Sequence, residues 1–351
     1  MPARNAIGFL RFFFAVLVIF SHSYPLGGFG TEILTRAHMP DTFGGFAVAG
    51  FFVLSGMLIA QSWTRSHSLG RFLWHRVLRI FPGYWVCLLV TVLGFAPLVM
   101  YLERGSLHGY WSSPVNSPLD YLRHDALLTL KQMSIANLLE NNPAKYTFDG
   151  SLWTLAYEFL CYLGVAVLGI AGLLQSRLRI GRVLVLVGLA VCIAVSVHPE
   201  WATQPSPFDA WLFRLAAFFL AGVAFHQWKE HIVLRADLGI AALVLTVVAA
   251  ALGAYRYVAP LSFGYFVLWL AAALPIKDFD KRGDFSYGVY IYAYPVQQVL
   301  ALVGWQRHGV VVFFLTALAL TLPLAVASFY LVERPCMRWK NVGISKEPAR
   351  I

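Results

Sequence analysis

The stretch Leu10–Pro25, LRFFFAVLVIFSHSYP, decides the fold. It reads as a helix that crosses a membrane, yet it carries Arg11 and His22. Hydrocarbon penalises both groups, so a spanning helix keeps them only where they meet headgroups, a protein interior or a wet cavity. Eleven residues at about 100° each make nearly three turns, so Arg11 and His22 project from one stripe, about 16 Å apart along the axis. Taken singly, each has an ordinary explanation: Arg11 snorkels to the inner headgroups and His22 touches the outer ones.

The rest of the chain fits the same reading. Of 351 residues 59% are hydrophobic and 13% charged, with a mean hydropathy of +0.67. A soluble domain cannot hide that much apolar surface, so an integral membrane protein is expected. The apolar runs are about twenty residues long, the length a spanning helix needs. Alternation at period two is absent, which points to an all-α bundle and away from a β-barrel. The net charge of +10 lies in short connections between apolar runs, as topology determinants do, and not in a nucleic-acid-binding patch. Cys87, Cys161, Cys192 and Cys336 have neither metal-ligand spacing nor the pattern of a disulfide framework, so no metal site is expected and they read as small buried hydrophobes. The SHSYPLGG that follows the first run lacks an A-x-A-like cleavage site, which favours a retained helix over a signal peptide.

Ten spans fit, at approximately 6–24, 43–62, 80–101, 150–172, 182–198, 209–227, 237–255, 258–275, 285–304 and 309–332. With the N-terminus in the cytoplasm, most of the 27 Lys and Arg residues fall on the cytoplasmic side, while HPEWATQPSPFD (198–209) outside has none. That asymmetry predicts a bundle of about ten transmembrane helices with both termini cytoplasmic. The expected organisation is a membrane domain over 1–340, an extracytoplasmic loop at 102–149 and a short cytoplasmic tail at 341–351. The chain ends soon after its last span, so no further extracytoplasmic domain is expected. Within the loop, SPLDYLRHDALLTLKQMSIANLLE (117–140) is partly amphipathic and suggests a surface helix or a lid.

Few ionisable residues fall within spans. Glu158 is the only acidic residue deep in one, and Arg214 lies in the outer part of the sixth. A structural ion pair between them would explain both. His226 reads as an interface residue. Gly44, Gly45, Gly50 and Gly56 read mainly as helix-packing positions, and Ser55 beside Gly56 could break the second span and expose backbone to a cavity. Arg76 and Arg79 share one helix face near the inner surface, with Arg71 and His75 close by. Ordinary positive-inside decoration accounts for such a cluster. Paired guanidiniums also grip phosphates through forked hydrogen bonds. Tyr110, Trp111, Tyr121, Tyr146, Phe148 and Trp153 offer rings for sugar stacking, although interfacial belts explain such aromatics as well.

Together these strings resemble the membrane acyltransferase 3 family of bacterial O-acyltransferases, which modify surface or secreted glycans. LRFFFAVLVIFSH has the family's Arg-to-His spacing. FFVLSGMLI, RVLRIFPGYW, SLWTLAYEFLCY, FSYGVYIYAYP and LVERP match further signatures in order along nearly the whole chain. The resemblance implies transfer of an acyl group, by default acetyl, from cytoplasmic acyl-CoA to a hydroxyl outside the inner (plasma) membrane. Acyl-CoA would be a substrate, with no permanently bound cofactor. The acceptor would be a glycan or lipid-linked sugar, and membrane lipids the surroundings. His22 would be catalytic, Arg76 and Arg79 would belong to the acyl-CoA side, and Arg11, Ser55 and Glu158 would have active-site or structural roles. Ala293 stands where many relatives have a histidine, and Ala49 where many have an acidic residue.

The chemistry suits that placement. Histidine can take the acceptor hydroxyl's proton at neutral pH, and Glu158 could orient it. Backbone near Ser55–Gly56, or Arg214, could stabilise the oxyanion. Arg214 and Trp153 are the candidates on the acceptor side. Direct transfer with His22 as general base is favoured over an acyl-enzyme. The alternative class is a multi-span transporter or channel that uses the buried Arg, His and Glu residues as a substrate pathway. No duplicated hydropathy pattern or paired broken helices support it.

Overall fold

The computed structural model describes residues 4–66, 68–174, 179–202 and 209–341. Arg177, Lys346, Arg350 and nearly all of the expected tail lie outside the described residues. Within them the chain is all helical, with no strand. In chain order the α-helices are α1 Ile7–Leu26, α2 Ile33–Arg36, α3 Phe43–Ser66, α4 Leu69–Val90, α5 Ala96–Arg104, α6 Pro118–Asp125, α7 Trp153–Ile170, α8 Arg179–Val197, α9 Ala210–Gln227, α10 Ala236–Ala251, α11 Tyr255–Ala273, α12 Ser286–Leu302, α13 Val310–Ser328 and α14 Arg334–Met337. A π-turn at Thr91–Phe95 joins α4 to α5, and another at Phe329–Glu333 joins α13 to α14. Each of the ten expected spans meets a helix.

Among the described residues eight helices are long and apolar enough to cross a membrane. The two that fall short are α10, apolar but of 16 residues, and α12, of 17. α12 carries Tyr287, Tyr290, Tyr292, Gln297 and Gln298, all buried against other helices. It is surrounded by protein and does not need a lipid-facing coat. The Gln297 amide donates to the Ile19 carbonyl and to Ser23 Oγ (2.9 Å each), which ties α12 to the C-terminal half of α1.

α3 and α9 cross most closely. A methyl group on Gly56 would overlap the Phe219 carbonyl, and one on Gly222 would overlap the Val53 carbonyl. The two glycines therefore let the backbones touch, as small residues do between membrane helices. α3 runs unbroken through Ser55–Gly56, so the expected local break is absent and those amides belong to the helix.

The connection 105–152 is helical only at α6, not over an extended amphipathic segment. Its backbone polar groups are met by tertiary partners instead. The Tyr84 hydroxyl donates to the Asp125 carbonyl (2.5 Å), Asn142 Nδ2 to the Gln298 carbonyl (2.9 Å), and Gln298 Nε2 to the Ala144 and Thr147 carbonyls (2.7 and 2.6 Å). Tyr110, Tyr121 and Phe148 are buried in this cap, so they are core and not a sugar platform. Trp111 and Tyr146 remain exposed.

Candidate active site

Two cavities divide the eight candidate residues between them. The first, about 120 Å³, lies among α1, α3, α4, α7 and α12 and is lined by Arg11, Ser55, Arg76, Arg79 and Glu158. It sits toward the end of the bundle where α1 begins. Ser55 Oγ donates to Glu158 Oε1 (2.8 Å), and the Tyr162 hydroxyl, one turn along α7, donates to the same oxygen. Glu158 is thereby satisfied without a cation.

The three guanidiniums of this cavity are not equivalent. Arg11 is ion-paired to Asp284. Arg79 bridges Asp284 (2.7 Å) and Glu333 (3.5 Å) and lies over the Tyr287 ring (5.8 Å). Among the described residues Arg76 has no carboxylate within ion-pair distance. It donates to Ser62 Oγ (3.3 Å), rests near the Phe72 and Tyr162 rings (5.7 and 5.8 Å), and keeps a buried, unpartnered Nε. Asp284 sits in the connection before α12. Burial alone would raise its pKa, but Arg11 and Arg79 beside it, with the Ser286 hydroxyl, hold it well below the usual carboxylate range.

The second cavity, about 210 Å³, lies toward the opposite end and is lined by His22, Asp41, Trp153, Trp211 and Arg214, among others. His22 packs edge-to-face on Tyr294 (centroids 5.4 Å apart), and its Nδ1 is buried with no partner. Trp153 and Trp211 meet at 5.3 Å and 71°. Arg214 is ion-paired to Asp41 and stacks over Trp211 (5.1 Å). Glu32 accepts from Ser21 Oγ (2.8 Å) and from the Phe43 N–H (2.5 Å), which anchors the 27–42 connection beside His22.

This arrangement departs from two pairings weighed from sequence. Glu158 forms no ion pair with Arg214, whose partner is Asp41. Nor does Glu158 hydrogen-bond His22, since the two line different cavities. Nevertheless the cavities abut, because Val48 of α3 and Tyr290 of α12 line both. The Tyr290 hydroxyl is held by the Ser151 carbonyl (2.7 Å) and Thr154 Oγ1 (2.6 Å) at the start of α7. His226 is buried on α9, away from both cavities.

Sequence reasoning missed Asp284, Asp41, Glu333 and Trp211. Asp284 and Asp41 lie in connections, so a search of apolar spans passes over them. Glu333 stands within LVERP, a string noted for its order and not for its charge. No sequence signal couples Trp211 to Arg214 beyond their i,i+3 spacing on one helix face.

Residues 4–330 match the family described as an acyltransferase domain. The chain is 30% identical over 349 residues to an O-acetyl transferase of Shigella phage Sf6, covering 95% of this chain and 96% of that protein. It is 28% identical over 374 residues to nodulation protein 10 of Rhizobium leguminosarum bv. viciae, covering 98% and 96%. No solved structure matches the chain.

Proposed function

The chain belongs to the acyltransferase 3 family and is an O-acyltransferase, and from that premise we propose that it moves an acyl group, by default acetyl, from cytoplasmic acyl-CoA to a hydroxyl of an extracytoplasmic glycan or lipid-linked sugar. In this reading residues 1–340 form the membrane domain in the inner (plasma) membrane, the 102–149 connection lies outside, and both termini are cytoplasmic. The observation that carries it is the meeting of two cavities at Val48 and Tyr290, one with a guanidinium in no ion pair among the described residues and the other with an unpartnered imidazole nitrogen.

The donor enters the first cavity. Arg76 takes its anionic portion through charge-assisted hydrogen bonds. The nucleotide stays at the mouth, and the pantetheine arm extends inward past Ser55 and Glu158, which line the cavity. Arg11 and Arg79, already paired with Asp284, shape this wall. The acceptor occupies the second cavity beside Trp153 and Arg214.

His22 removes the acceptor hydroxyl's proton as the oxygen attacks the thioester carbonyl. The tetrahedral intermediate collapses by breaking the C–S bond, and the protonated imidazole returns its proton to the departing thiolate. Both substrates must be present together, so transfer is direct. The Ser55–Gly56 amides are committed to α3 and cannot bind the oxyanion.

The test uses membranes carrying the full chain, supplied with acetyl-CoA and extracted surface glycan. Acceptor-dependent release of free CoA is expected, and it should vanish in His22→Ala while the protein still inserts. Release that persists in His22→Ala would remove the imidazole from the mechanism.

A further inference from the structure

We infer that the outer cavity is a subsite for a single uncharged pyranose ring, stacked on the Trp153–Trp211 pair, and that it excludes acidic sugars. The inference rests on the transferase reading above and adds the chemical class of the acceptor.

Size is the first observation. At about 210 Å³ the cavity is below the usual range for drug-sized ligands and suits one ring, not an oligosaccharide. The rest of a glycan would stay outside it.

The lining is the second. Trp153 and Trp211 meet nearly at right angles, and Trp211 keeps 49% of its surface exposed. Such an apolar ring surface beside polar groups fits the C–H face of a pyranose with its hydroxyls turned aside. His22 lines the same cavity, which brings a stacked ring's hydroxyl toward the imidazole.

Charge is the third and decides between sugars. Arg214 is the only Lys or Arg among the lining residues, and Asp41 already neutralises it. Two further carboxylates stand close behind. Glu32 is bound to the lining residue Ser21, and Asp209 precedes Trp211 by two positions and accepts from the Tyr157 hydroxyl (2.6 Å). The sequence 203–208 contains no ionisable residue. An anionic acceptor would enter a site with excess negative charge, or would have to displace Asp41 from Arg214 and leave a buried carboxylate without its partner. A neutral ring meets no such cost. The intact Asp41–Arg214 pair still offers it both an acceptor and a donor for adjacent hydroxyls.

Mass spectrometry of surface glycans from cells carrying the full chain, compared with cells carrying His22→Ala, tests this. The ester lost in His22→Ala is expected on a neutral sugar: a hexose, a deoxyhexose or an N-acetylhexosamine. An ester mapped to a uronic or sialic-type acid would overturn the neutral-subsite inference and leave the transferase reading standing. An ester that persists in His22→Ala would remove the imidazole from the mechanism and leave the sugar carrying it to decide the subsite, and no ester that depends on the chain, read against cells lacking it, would overturn the transferase reading itself. A second arm uses Trp211→Ala with Trp211→Phe as the conservative control. Trp211→Ala should raise the acceptor KM by about threefold to tenfold without a matching rise in the acetyl-CoA KM, and Trp211→Phe should restore most of it. An equal rise in both constants, or no rise in either, would count against the stacking role.

Discussion

Arg76 and Arg79 look alike in the sequence, three positions apart on one helix face, and the structure separates them. Arg79 is bound by Asp284 and Glu333, whereas Arg76 has no carboxylate partner among the described residues. Arg79→Ala would leave Glu333 without its cation while Asp284 kept only Arg11, and breaking a buried pair costs up to about 3–5 kcal/mol. Thermal unfolding in detergent should therefore show a marked fall in Tm for Arg79→Ala. Arg76→Ala should leave Tm nearly in place but raise the KM for acyl-CoA about tenfold or more, the worth of a charge-assisted hydrogen bond. If the two variants exchange these behaviours, the assignment of Arg76 to the donor is wrong. The Arg-x-x-Arg spacing was legible as a pair on one face. The difference between its members was not, because the deciding partners lie 205 and 254 residues away along the chain. Arg11 and His22 were legible as one stripe, yet the stripe serves two cavities, since Val48 and Tyr290 come between them.

Among the elements, α3 and α9 depend on Gly56 and Gly222. A methyl group at Gly56 meets a carbonyl oxygen of the facing backbone, which cannot turn aside as a side chain would. Gly56→Ala is expected to destabilise the protein by about 1–3 kcal/mol, the usual cost of overpacking. A lowered Tm in detergent, with the remaining folded fraction still active, would check it; an unchanged Tm would mean the helices sit farther apart. The long apolar helices were readable because hydrocarbon thickness sets their length. α12 was read as the span 285–304, although it is walled by protein and its tyrosines and glutamines serve neighbouring helices. The 117–140 stretch has helical periodicity, but beyond α6 its backbone finds partners in other elements. For instance, the Gln132 N–H donates to Asp125 Oδ1 (3.2 Å), and Arg104 donates to the Ala136 carbonyl (2.8 Å). Tertiary hydrogen bonds there replace the ladder that periodicity suggests.

The cap and the bundle respond together to pH. Asp149 is buried where the 105–152 connection enters α7 and accepts from the Tyr121 hydroxyl (2.6 Å). Burial pushes its pKa up to about 7. The folded state then holds this proton more tightly than the unfolded chain, whose aspartates titrate near 4. The stabilisation is full below about pH 4 and is lost as the pH rises through about 7. The wild-type Tm should therefore fall between pH 5 and pH 8, and Asp149→Asn should flatten part of that fall. Equal slopes in the two proteins would exclude Asp149 as the source. The partition at Val48 and Tyr290 has a consequence of another kind. Val48 and Tyr290 line both chambers, so an isopropyl group and a phenol stand where the two polar spaces adjoin. Trimming both to alanine should turn a chemical relay into a conductive pore, detectable as collapse of a proton gradient across sealed vesicles.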